Sequence, residues 1–293
     1  MKKVIIVSII TMMIASVGFS QSGKGLKVFI SVDMEGITGV VNWEEVNRTG
    51  KDYDMFRQIM TKETSAAVEG AADAGATHIV VRDGHGAARN ILPELLDSRA
   101  LLMRDWSGGP MSMMEGIDET FDAVIFIGYH ARAGVPDATL EHTKSGSAIT
   151  DVTINGVSLP EAGINALIAG HFGVPVVFAS GDRALCDQVI GLFGDTETVA
   201  VKEGLGKAAL NYHPEVAGQK IREGVKTSLQ NLENYTPYKM QSPYTLVLTL
   251  KIEELVYNGA HYPGAERTGD WELTYKNNDL MEVIKALFWM YKM

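Results

Sequence analysis

Cysteine is all but missing from this chain, with Cys186 the one thiol in 293 residues. Intramolecular disulfides and thiolate-rich metal sites are excluded with it, so any metal held here needs nitrogen and oxygen ligands. Cys186 falls in Asp182 to Phe193, where Leu185, Val189, Ile190 and Phe193 recur at helical spacing, and it reads as a small half-buried side chain, not a nucleophile. Basic charge is also scarce. The 26 lysines and arginines face 36 acidic residues, a formal charge of -10, and they form no basic stripe, which argues against nucleic acid as a partner. Three common signatures are absent: the G-x-S-x-G elbow, the Walker phosphate loop and H-E-x-x-H. Asp83-Gly84-His85-Gly86 is too short for a dinucleotide fingerprint.

Long apolar runs are lacking beyond the N-terminus. There, Lys2 and Lys3 precede an apolar stretch from Val4 to Phe19, with Gly18 and Ser20 as small residues near its end. Ser8, Thr11 and Ser16 interrupt it, and it falls short of the about 20 residues a spanning helix needs. The expectation is an export signal over residues 1–20, cleaved near Ser20, giving a periplasmic or secreted protein with no stable membrane insertion.

What remains alternates strand-like and helix-like segments. Leu26 to Val32, His78 to Arg82, Ala123 to Gly128 and Val174 to Ala179 are short, apolar and rich in β-branched or aromatic residues, as buried strands are. Helical periodicity fills Met55 to Ala74, Pro160 to Phe172 and Asp182 to Phe193. The expected fold class is therefore α/β, a largely parallel sheet flanked by helices. Asn155-Gly156 predicts an antiparallel hairpin between Ala148 to Ile154 and Val157 to Leu159. A long amphipathic helix is expected from Pro214 to about Leu232, then a linker with Pro237, a strand over Tyr244 to Lys251 and a terminal helix. Residues 24–234 thus read as the α/β domain and 235–293 as a small C-terminal α+β appendage.

In open α/β sheets, ligands bind beyond the carboxyl ends of the strands. The first strand runs into Asp33-Met34-Glu35-Gly36, whose two carboxylates point the same way if the chain stays extended. The second ends in Asp83-Gly84-His85 and the third in Tyr129-His130. Each residue alone is as well explained by capping, solvent exposure or a satisfied structural histidine. Together they form a metal-ligand inventory, because crowded carboxylates repel unless a cation stands between them. Glu161 stays open at this level. Ser158-Leu159-Pro160-Glu161 fits a capping box, yet Glu161 shares a helical face with Ile164 and Ile168, where a carboxylate wants a strong partner. His142, in a loop-like stretch, is placed to act on a substrate or to be a plain surface histidine.

Ser31-Val32-Asp33-Met34-Glu35-Gly36, Asp83-Gly84-His85, Gly128-Tyr129-His130-Ala131, His142-Thr143 and Glu161-x-Gly163-x-Asn165-Ala166 together resemble the zinc D-aminopeptidase family, with a weaker echo in Pro263 to Gly269. The resemblance covers essentially the whole chain after residue 20. It implies a two-zinc peptidase that removes N-terminal, often D-, amino acids from short peptides through a metal-bridged water, and that forms homo-oligomers. It also implies two zinc ions per subunit held by Asp33, Glu35, His85, His130 and Glu161, with Asp33 as the bridge and His142 as the catalytic histidine. Glu161 is thereby a ligand by resemblance. Family members usually lack an export signal, so the physiological peptide is left open. Two other readings of the same donors are a metal-dependent phosphoesterase, with Arg82 and Arg132 as phosphate clamps, and a periplasmic metal- or peptide-binding protein without turnover.

Overall fold

A computed structural model describes residues 25–293; the expected export signal lies outside the described residues. Along the chain the strands are β1 (Leu26–Val32), β2 (Ala76–Asp83), β3 (Ala100–Met103), β4 (Ala123–Tyr129), β5 (Ile149–Ile154), β6 (Val157–Ser158), β7 (Val176–Asp182), β8 (Glu197–Leu205), β9 (Ala208–Asn211), β10 (Tyr244–Leu250), β11 (Ala265–Arg267) and β12 (Glu272–Asn277). The helices are α1 (Trp43–Val46), α2 (Tyr53–Asp73), α3 (Glu161–His171), α4 (Arg183–Phe193), α5 (Pro214–Gln230), α6 (Glu253–Gly259) and α7 (Leu280–Met290).

Seven strands form one sheet in the order β3-β2-β1-β4-β7-β8-β9, parallel throughout except for the antiparallel edge pair β8–β9. This is the largely parallel sheet expected from the sequence. Successive side chains of β1 enter opposite cores. Val28, Ile30 and Val32 pack under α2 and α5, while Phe29 faces the core that holds α3 and α4. Burial on both faces is why these strands read as continuous apolar runs and not as alternating ones. From β1 the chain winds outward through β2 and β3, then crosses back to β4 on the other side of β1. The crevice beyond the carboxyl ends of β1 and β4 is thus the topological switch point, the place where such sheets take ligands.

The hairpin β5–β6 turns at Asn155-Gly156, both with positive φ (53° and 79°), as a type I′ turn demands. It leaves the main sheet and pairs with β10, completing a second, antiparallel sheet in the order β11-β12-β10-β5-β6. The boundary expected at residue 235 is therefore a division of the sequence that a hydrogen-bonded sheet crosses. Leu246 and Leu248 of β10, Val283 and Leu287 of α7 and Ile164 of α3 share one core. That core carries α7 back over the switch-point crevice.

Several elements differ from the sequence reading. The third helical segment begins at Glu161 and not at Pro160, and β7 starts two residues later than Val174 and runs on to Asp182. β8 and β9 had no periodic signature, since β8 mixes apolar residues with Lys202, Glu203 and Gly204 near a sheet edge. Cys186 is fully buried, not half-buried, and burial pushes its thiol up to about 12, an inert state.

Candidate metal centre

All six residues singled out from the sequence converge on the switch-point crevice. Asp33 and Glu35 come from the turn after β1, His85 from the loop after β2, and His130 from the residue after β4. His142 comes from the loop before β5, and Glu161 opens α3. The two carboxylates of the first turn do not converge by strand alternation, as expected for an extended chain. The backbone bends at Met34 to Gly39, and the turn is pinned across to β4 by Asp33 N–H donating to Ile127 O (2.8 Å) and Gly36 N–H donating to Gly128 O (2.8 Å). The pinning needs glycine at both crossings. A Cβ on Gly36 would lie 1.8 Å from Tyr129 O, and one on Gly128, whose φ is +69°, would lie 2.4 Å from Asp33 O. Gly36→Ala is accordingly expected to cost about 1–3 kcal/mol by overpacking and to move Glu35. A urea-unfolding midpoint equal to the wild-type value would refute that.

Asp33 stands at the middle. Its Oδ1 lies 3.3 Å from His85 Nδ1 and its Oδ2 lies 3.4 Å from His130 Nε2. On one side, Glu35 Oε2 is 2.9 Å from His85 Nδ1; on the other, Glu161 Oε1 is 3.6 Å from His130 Nε2 and 3.7 Å from His142 Nε2. Each imidazole is held by a backbone carbonyl through its other nitrogen. His85 Nε2–H donates to Val46 O, His130 Nδ1–H to Ala131 O and His142 Nδ1–H to Leu140 O, all at 2.9 Å. These bonds set the tautomers and turn a lone pair of every ring toward the carboxylates, the usual outer support of a metal-ligating histidine. The rings of His130 and His142 stack at 3.9 Å and 7°, and Trp43 meets His142 edge-on at 5.3 Å.

The electrostatics point the same way. Burial disfavours the ionised Asp33 carboxyl, but the adjacent imidazoles of His130 and His85 hold it well below the usual range. Glu161 is likewise opposed by burial, yet the Lys144 ammonium and His130 bring it down to about 2. Burial works against charge on His85 and His130 too, but Glu35 and Asp33 push the first, and Asp33 and Glu161 the second, well above the ordinary imidazole value. Three buried carboxylates thus demand positive charge, which protons or a cation can supply.

The donor set fits a cation. His130 Nε2 is fully buried without a hydrogen-bond partner among the described residues, although its ring is in place and its other nitrogen is satisfied. Asp33, Glu35 and His130 offer ligand atoms within 4.8 Å of one another, and so do His130, His142 and Glu161. Carboxylate oxygens and imidazole nitrogens without thiolate suit zinc among the divalent metals that prefer nitrogen.

The open question at Glu161 is resolved locally. Ser158 spends its hydroxyl on Asp151 Oδ2 (2.7 Å) inside the β5–β6 hairpin, and α3 starts on Pro160 with no side-chain cap. The capping box does not form. Glu161 Oε1 instead accepts from Lys144 N–H (2.8 Å), while the carboxylate faces the histidines.

Several further residues support the site, and of these Lys202 and Asn90 stand outside every motif read from the sequence. Asp83, the first residue of the Asp83-Gly84-His85 motif, turns away from the cluster and accepts from Asn90 N–H (2.6 Å), Asn90 Nδ2 (2.7 Å) and Ile91 N–H (2.8 Å). Asn90 in turn donates to His85 O (2.7 Å), so this carboxylate shapes the His85 loop. Lys202, fully buried, donates to Glu35 O and to Val40 O (2.6 Å), stapling the first turn from β8. Asn165 donates to Tyr129 OH (2.9 Å), which shares a hydrogen bond with Ser31 Oγ (2.7 Å) behind the site. Asp33, Glu35, His85, His142 and Glu161 line a cavity of about 410 Å³, walled further out by Trp106 and by Phe288 and Tyr291 of the α7 end. His130 is buried behind them. Arg82 is not available as a phosphate clamp: its guanidinium donates to Asp105 O (2.7 Å) and Ser112 O (3.3 Å) and covers Trp106. Arg132 donates to Ala133 O (2.9 Å), and neither arginine lines the cavity.

A family model described as D-aminopeptidase matches residues 26–288. The D-aminopeptidase of Bacillus subtilis (strain 168) is 32% identical over 273 residues, which is 90% of this chain and 96% of that protein. The solved structure of a Zn-dependent D-aminopeptidase, DppA from Bacillus subtilis, described as a self-compartmentalizing protease, resembles this one with a TM-score of 0.87 at 29% identity, over 91% of this chain and 97% of that one.

Proposed function

This chain belongs to the D-aminopeptidase family, and from that membership we propose a zinc-dependent metallopeptidase that releases N-terminal D-amino acids from short peptides. The observation that carries the reading is Asp33, whose two oxygens face His85 on one side and His130 on the other at nearly equal distances. In this proposal Asp33, Glu35, His85, His130 and Glu161 would hold two zinc ions per subunit. Bound zinc supplies Lewis acidity, which polarises a carbonyl and makes hydroxide accessible near neutral pH.

His142 differs from His130 in facing the cavity, and it is the group we assign to the proton. With Nδ1–H committed to Leu140 O, its Nε2 can first take a proton from the attacking water and then, as the imidazolium, stabilise the developing oxyanion or hand that proton to the leaving amine. The stack on His130 and the Trp43 edge fix the ring plane for that transfer. His142→Ala is expected to lower kcat about 10²- to 10⁴-fold while zinc content stays at the wild-type level. Loss of a zinc ion along with turnover would make His142 a ligand instead.

The test of the whole reading is turnover of D-Ala-D-Ala, L-Ala-L-Ala and a phosphoester by zinc-loaded protein and by protein stripped of metal. Zinc-dependent amine release favouring the D-substrate is expected. Zinc retention without any turnover would move the protein to a binding role, and phosphoester cleavage would move it to another hydrolase class.

An oligomer of like subunits is part of the proposal. It is supported by the self-compartmentalizing neighbour and by the exposed Leu205 and Leu210 (72% and 75%) at the β8–β9 edge, apolar surface that association would cover. Export to the periplasm or medium rests on residues 1–20 alone. Among the described residues no helix is long and apolar enough to cross a membrane.

A further inference from the structure

The cavity is electrically divided. Its floor carries Asp33, Glu35 and Glu161, while two ammonium groups, Lys144 and Lys292, border it from the α3 and α7 side. Lys144 is in the left-handed region (φ 61°), a conformation that turns its N–H onto Glu161 Oε1. Its Nζ stays 3.7 Å from Glu161 Oε2, beyond a hydrogen bond, and among the described residues its one other polar contact is the soft Met113 Sδ at 3.5 Å. Lys292 Nζ sits 3.4 Å from the centre of the Phe288 ring, and no carboxylate among the described residues lies within ion-pair distance of it. Burial, and then the like charge of Lys144, lower the Lys292 ammonium, as expected of two cations sharing one mouth. In a chain of net charge -10, two incompletely paired lysines beside an acidic floor call for an anionic partner.

We propose that Lys144 and Lys292 receive the C-terminal carboxylate of a short peptide whose N-terminal residue lies over the metal-ligand candidates. The inference rests on the aminopeptidase reading and refines it: the preferred substrates are short peptides with a free carboxylate, and the two lysines are specificity determinants. A lysine just past the last turn of α7 also suits the helix dipole, but that role is blind to the chemistry of the substrate's far end.

The experiment compares kcat and KM for D-Ala-D-Ala and its C-terminal amide in the zinc-loaded protein and in Lys292→Glu and Lys292→Arg. Lys292 is the position to vary because, unlike Lys144, it touches none of the metal-ligand candidates. The wild type is expected to prefer the free acid on the order of tenfold, mainly through KM, and less so at high salt. Lys292→Arg is expected to keep the preference, and Lys292→Glu to bring the acid-to-amide ratio below one. A wild-type ratio near one, or a Lys292→Glu change equal for both substrates, would overturn the clamp while leaving the aminopeptidase standing. Hydrolysis of neither substrate by zinc-loaded protein would overturn both.

Discussion

Asp33→Asn is expected to reduce aminopeptidase turnover by roughly a thousandfold and, unlike His142→Ala, to cut the zinc content of purified protein as well. The substitution keeps the shape and one oxygen, so the acceptor for Met34 N–H (2.9 Å) survives and the turn after β1 has no reason to open. What goes is the negative charge that faces His85 at 3.3 Å and His130 at 3.4 Å. His142 Nε2 also reaches both halves, 3.8 Å from Glu35 Oε1 and 3.7 Å from Glu161 Oε1, but it brings no negative charge. Loss at Glu35 or Glu161 leaves one half with its full donor set, whereas loss at Asp33 weakens both. Metal analysis beside kinetics decides the matter, because wild-type zinc content with normal turnover in Asp33→Asn would remove Asp33 from its central place.

The second large effect lies outside the cluster. Lys202→Met is expected to lower stability by about 3–5 kcal/mol, the range for removing one member of a buried charged group. Lys202 is fully buried, and burial lowers its ammonium to about 8, while burial raises Glu63 nearby to about 7. Glu63 accepts from Thr38 N–H (2.9 Å), so lysine and glutamate brace the same turn from below. Without the ammonium, Glu35 O and Val40 O lose their donor, and Glu63 Oε2, already without a hydrogen-bond partner among the described residues, loses its nearby cation. The Glu35 carboxylate is then free to drift, and zinc affinity is expected to fall about 10- to 100-fold, as for loss of an outer support of a metal ligand. Adding Glu63→Gln should restore part of the stability by removing the stranded acid, but not the zinc affinity, because the two carbonyls still lack their staple. Urea unfolding and zinc titration of the single and double variants test this. A single variant within 1 kcal/mol of wild type with unchanged zinc affinity would refute it.

Much of the site was legible because a parallel sheet delivers the ends of its strands to one rim. Asp33, His85 and His130 each follow a run whose apolar, β-branched character marks it as a buried strand, so their convergence follows from the fold class. Glu161 was not decidable by spacing. A capping box and a carboxylate left for the cluster share the same pattern, and the hairpin contact of Ser158 with Asp151 excludes the first. Glu35 reached the right place for a reason other than strand alternation, through a turn held by Gly36 and Gly128 against the neighbouring strand.

Local chemistry along the chain was enough to determine the α/β class, the strand ends that gather carboxylates and imidazoles and the oxygen and nitrogen character of the cluster, since periodicity and residue type act over a few neighbours. Three features needed the tertiary structure: the staple from Lys202, 167 residues beyond Glu35; the pairing of β5 with β10 across the residue 235 boundary; and the return of α7 to bring Lys292 to the cavity mouth. Each is a contact between segments distant in sequence, where burial and unpaired charge choose the partner and no local pattern records the choice.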